Sequence, residues 1–121
     1  MTLWLWLAVA AVGGSGAIIR FVADALVSGH VGRDLPVGTL AINLTGAFAL
    51  GLLTGLGARG TLLLLTGTAT VGSYTTFSTW MLESYRLAED GEGRVALLNI
   101  AVSLLAGFAV ALIGYAIGAH L

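Results

Sequence analysis

The sequence contains no cysteine, which excludes disulfides, thiolate metal sites and cysteine nucleophiles. Charge is almost as scarce. Only 9% of residues are Asp, Glu, Lys or Arg, against about 25% in soluble domains, and a surface in water needs charge to stay dispersed. A net charge of −1 leaves no basic field to hold nucleic acid, and none is expected as a partner. The two histidines, His30 and His120, fall in a loop and at the C-terminus, and neither has a second ligand at metal spacing. No glycine-rich loop ends in Lys followed by Ser or Thr, so a phosphate-binding P-loop is excluded. Nothing has catalytic form, and the chain is not expected to be an enzyme.

Apolar residues are plentiful. They make up 58% of a chain of 121 residues, a length that allows a single domain. A domain this small has too much surface for its volume to bury them all against itself, so the surplus must face lipid or another subunit. Four stretches reach the roughly 20 apolar residues that span a bilayer: residues 3–27, 37–56, 61–87 and 95–118. The opening MTLWLWLAVAAV lacks the positive region of a signal peptide and reads as a retained helix. Polar connections lie at 28–36, 57–60 and 88–94, and the one proline, Pro36, stands where the second helix begins. A soluble bundle would show polar helical faces; the second and fourth stretches have none. Small residues recur every four positions, as Ala47, Gly51 and Gly55, then Ser103, Gly107 and Ala111, with Gly114 and Gly118 beyond. Such lines let helices approach closely in lipid.

The third stretch is unusual. It carries Thr66, Thr68, Thr70, Ser73, Thr75, Thr76, Ser78 and Thr79, with Gly67 and Gly72 among them. Threonine and glycine are poor helix formers, and hydroxyls compete for backbone hydrogen bonds. A break near residues 72–75 is expected, at a depth where irregular backbone is tolerated only inside protein or along a water-filled cavity. The alternative is a continuous helix whose hydroxyls bond back to their own carbonyls.

Other polar groups lie at membrane depth. Asn43 stands mid-way along the second stretch, with Thr39 one turn earlier on the same face. Its carboxamide either bonds a neighbouring helix or offers donors to an anion. Arg20, with Asp24 one turn on, suits a structural or vestibule role rather than direct ion contact. Glu83, near Arg86, suits the interface, and Trp4, Trp6 and Tyr115 suit the aromatic belt. Phe77 and Trp80 follow the expected break, three residues apart. They are either core aromatics or ring edges whose partial positive charge meets a small anion.

Three segments, GGSGAIIRF (13–21), GTLAINLTGAFALG (38–51) and GSYTTFSTW (72–80), together resemble the Fluc (CrcB) fluoride channels over nearly the whole chain. The resemblance implies an all-α membrane protein of four transmembrane helices with a broken third, paired as an antiparallel, dual-topology homodimer in a bacterial-type inner membrane. It implies two fluoride pores along the dimer interface and a central structural Na⁺ on the backbone carbonyls of Gly72 and Thr75. The anion path is expected at Asn43, Phe77, Trp80, Ser78, Thr79, Thr39 and Ser103, with Arg20 at the vestibule. Two positions depart from the family pattern: Trp80 stands where Phe is usual, and Asn99 where an aromatic or hydroxyl is expected. The function implied is passive export of F⁻, whose hydration a donor-lined path replaces. Arg59 lies on the side of the termini, and Arg33, Arg86 and Arg94 on the other. That bias is small enough for dual insertion, or for one half of an oppositely oriented pair of paralogues. The alternatives are a small multidrug-resistance-type exporter, which relies on a Glu in the first helix that this chain lacks, and a scaffold that transports nothing.

Overall fold

In the computed structural model the described residues are 2–32 and 34–121; Arg33, used above to weigh orientation, lies outside them. Every regular element among the described residues is a helix. Helix α1 is Leu3–Val31, α2 is Val37–Gly55 and α6 is Gly93–Ala119, and these three are long and apolar enough to cross a membrane. Between α2 and α6 the third span is built in pieces: α3 (Gly60–Leu63), a π-helical segment (Leu64–Val71), α4 (Gly72–Tyr74) and α5 (Ser78–Glu89).

The helix ends follow from local chemistry. Helix α1 runs past the expected end at residue 27. Ser28 fits inside it, buried, with Oγ 3.5 Å from Asp24 Oδ1, and Gly32 ends it by donating to the Ser28 carbonyl at 2.8 Å. Pro36 caps α2. Two glycines close their helices with paired bonds that need a positive φ. At Gly57 (φ 84°), Ala58 N–H donates to Leu53 O and Gly57 N–H to Thr54 O. At Gly91 (φ 80°), Glu92 N–H donates to Leu87 O and Gly91 N–H to Ala88 O.

Packing depends on small residues rather than on a core. Among the described apolar residues only Ile42, Ala69 and Ala96 are buried, while Phe21, Leu105 and Phe108 stand more than 70% exposed, as lipid-facing side chains do. Helices α2 and α6 meet backbone to backbone. A Cβ at Gly51 or Gly55 would collide with the carbonyl of Ala111 or Tyr115, and one at Gly114 or Gly118 with that of Phe48 or Leu52. The α6 side of this seam therefore runs through Ala111, Gly114 and Gly118, while Gly107 faces open space. On the other side α1 lies against the third span, where a Cβ at Gly16 would meet the Thr70 carbonyl and one at Gly13 would come within 3.2 Å of Ser73 Oγ.

The third span loosens before it breaks. In the π-helical segment the Thr70 hydroxyl donates to Leu65 O, five residues back, at 2.6 Å, and Thr66 donates to Leu62 O at 2.6 Å. Gly72 keeps helical angles (φ −61°, ψ −37°). The interruption comes later than expected, at residues 75–77, where Thr75 is extended (φ −78°, ψ 161°) and helix resumes at Ser78. Some hydroxyls do fold back on the helix: Thr75 Oγ1 donates to Val71 O at 3.0 Å.

Candidate site at the break in the third span

An extended residue in a membrane helix strands backbone groups that water cannot satisfy. Here the stranded groups are the N–H and the carbonyl of Thr76, and α2 answers both. Asn43 Nδ2 donates to Thr76 O at 2.9 Å, and Asn43 Oδ1 accepts from Thr76 N–H at 2.9 Å. The pair closes the break much as a strand partner would. Gly46, one turn along α2, makes room for it, since a Cβ there would strike Thr75 Cγ2. Within the break, Thr76 Oγ1 accepts from the N–H of Thr79, in the first turn of the next helix, at 3.2 Å. Thr45 and Tyr74 join their hydroxyls at 2.8 Å across the same contact.

Three cavities surround this point. The largest, about 490 Å³, is a groove between α2 and the third span, bordered by Asn43, Val71, Gly72, Thr75, Phe77 and Trp80 among others. A second, about 140 Å³, brings Asn43 and Trp80 to Ser103 on α6. A third, about 190 Å³, gathers Arg20, Asp24, Thr39, Thr76 and Thr79. Of the residues expected along an anion path, Asn43, Phe77, Trp80 and Ser103 thus border the first two cavities, and Thr39, Thr79 and Arg20 the third. Ser78 stands apart and exposed, its Oγ 3.5 Å from Thr76 Oγ1. The Thr39 hydroxyl is taken by the Glu83 carboxylate.

The two aromatics meet edge to face, with centroids 5.6 Å apart and planes at 79°. Phe77 is 70% exposed. Trp80 Nε1 is buried with no hydrogen-bond partner among the described residues.

The expectation of a structural Na⁺ on the carbonyls of Gly72 and Thr75 is overturned. Among the described residues no group of three His, Cys, Asp or Glu side chains gathers that could hold a metal ion. The Thr75 carbonyl is instead approached by Arg20, whose Nη1 donates to it at 3.4 Å. A guanidinium on that oxygen takes the place of a cation and repels another.

A relay beside the site escaped the sequence reading. Asn99 on α6 donates to Ser84 Oγ at 2.9 Å, and Ser84 donates to the Trp80 carbonyl at 2.9 Å. Asn99 stood out in the sequence only as a misfit, although an amide in so apolar a helix signals a partner across lipid.

The family model described as CrcB-like protein, Camphor Resistance (CrcB), matches residues 7–115. The chain is 51% identical to the fluoride-specific ion channel FluC 2 of Mycolicibacterium paratuberculosis over 113 residues, 93% of each chain. It is 42% identical to FluC 1 of Streptomyces avermitilis, over 90% of this chain and 91% of that one. Against FluC 1 of Symbiobacterium thermophilum it is 38% identical, over 93% and 96%. The chain belongs to the CrcB family of fluoride channels, as a multi-pass protein of the bacterial inner membrane and not an enzyme.

Proposed function

We propose that the chain is a subunit of a fluoride-selective channel that lets F⁻ leave the cytoplasm down its gradient. The observation that carries this reading is the Phe77–Trp80 edge pair, set beside a backbone break that Asn43 closes. Fluoride is small and strongly hydrated, so a pore must replace its water with donors without binding it too tightly to release it. Ring edges and hydroxyls meet that need without a fixed cation. Asn43 keeps a second Nδ2 hydrogen beyond the one it gives to Thr76, and that donor is free for an anion. In this reading Asn43, Phe77, Trp80 and Ser103 line one stretch of the path. Thr39 and Thr79 line the next, with Ser78 outside it, and Arg20 draws anions to its mouth.

In the same reading two copies pair in opposite orientations, and each covers the other's groove. The exposure of Phe77 in a single chain supports this, because an aromatic at a break in mid-membrane is better covered by protein than by lipid. Two such copies form two paths. Liposomes loaded with fluoride and holding the purified protein test the proposal. A channel releases fluoride quickly and without proton coupling, a multidrug-type exporter moves organic cations with protons, and a scaffold moves neither.

A further inference from the structure

Trp80 holds an unanswered hydrogen-bond donor. Its indole N–H is buried and has no acceptor among the described residues. Native structures rarely leave such a group without a reason. Trp80 is among the residues that border both the large groove and the small cavity against α6. Two acceptors on neighbouring residues already take one donor each. Asn43 Oδ1 takes the Thr76 N–H, and Ser84 Oγ takes the Asn99 amide. The ring is nevertheless held firmly. Its backbone carbonyl accepts from Ser84, which Asn99 ties to α6, and its face or edge meets Phe77 at 79°.

We propose that the Trp80 indole N–H donates a hydrogen bond to the passing anion. The inference rests on the fluoride-channel reading and deepens it, because it makes Trp80 a specificity-determining contact rather than a second ring edge. A hydrogen bond from N–H to an anion is charge-assisted and stronger than a ring-edge contact. Fluoride, the smallest halide, accepts the shortest and strongest such bond; chloride is larger and accepts it weakly. The donor therefore deepens the well for fluoride at this one position, while Phe77 leaves its neighbour shallow.

The test uses the full chain carrying Trp4→Phe and Trp6→Phe, so that Trp80 is the sole indole, labelled with ¹⁵N and titrated with sodium fluoride or sodium chloride at constant ionic strength. The expected result is an indole N–H resonance that moves saturably with fluoride and stays in place with chloride. Trp80→Phe, which keeps a ring and removes the donor, is expected to raise the half-saturating fluoride concentration for efflux on the order of tenfold. A resonance that ignores fluoride, in protein that still empties fluoride-loaded liposomes, overturns the donor role and leaves the channel reading intact. The same follows if chloride moves the resonance equally. A resonance that ignores fluoride in protein that releases none overturns both. One that responds to fluoride without efflux supports the donor and overturns the channel.

Discussion

Asn43 and Thr76 hold each other through both backbone polar groups of one residue, with Nδ2 donating to Thr76 O and Oδ1 accepting from Thr76 N–H, each at 2.9 Å. An interruption in a membrane helix thereby becomes a fixed geometry instead of a weak point. Replacing Asn43 with Leu leaves both Thr76 groups unpaired, and the expected loss is about 1–3 kcal/mol, read from unfolding in mixed micelles. Replacing it with Asp keeps an acceptor for the Thr76 N–H but sets a carboxylate against the Thr76 carbonyl and along the proposed path. Fluoride efflux is expected to fall well below that of the unmodified protein. Efflux equal to the unmodified protein's would remove Asn43 from the path.

Phe77 tests the ring-edge idea separately from the fold. Because it is 70% exposed in the single chain, Phe77→Ile costs the chain's own packing little. Loss of the edge is expected to slow fluoride efflux roughly tenfold, the equivalent of about 1.4 kcal/mol. An unchanged rate, with circular dichroism also unchanged, would return Phe77 to a purely packing role.

The seam between α2 and α6 predicts which glycines tolerate a side chain. Gly114→Val forces a branched side chain into the Phe48 carbonyl, and overpacking of this kind costs about 1–3 kcal/mol. Gly107 lies on the same helix with open space at its Cβ position, so Gly107→Ala is expected to cost nothing and to stabilise the helix by up to about 1 kcal/mol. Thermal unfolding of the two variants in detergent compares them directly.

The Asn99–Ser84 bond joins the helices on either side of the last loop. A double-mutant cycle with Asn99→Leu and Ser84→Ala is expected to give a coupling of about 0.6 kcal/mol and at most about 1.7 kcal/mol, the range for polar pairs between membrane helices. Additive losses would mean that the bond contributes nothing.

The spans were legible because lipid demands long apolar runs, and the disturbed third span because hydroxyls crowd it. Where the break falls was less legible. Gly72 is compatible with a helix, and the extended residue is Thr75, fixed by an asparagine 33 residues away from Thr76. Nothing within the third span itself carries that information. The π-helical segment was equally hidden, since a slightly wider turn leaves no distinct mark in a stretch where glycine, alanine and threonine alternate. The Na⁺ expectation came from resemblance alone and fails because Arg20, on a different helix, donates to the Thr75 carbonyl. Glu83 read as interfacial, but its contact with Thr39 joins two spans that the sequence separates by 44 residues. Polar contacts between distant helices were the least visible feature throughout, because each partner alone looks like an ordinary hydroxyl or amide.

The most direct measurement follows fluoride with an electrode outside liposomes that contain only this purified chain, loaded with fluoride and with potassium current shunted by an ionophore. Rapid release of fluoride, unaffected by a proton gradient and absent when chloride replaces fluoride as the loaded ion, is the predicted result. Release no faster than from protein-free liposomes, or release that tracks the proton gradient, would contradict the account.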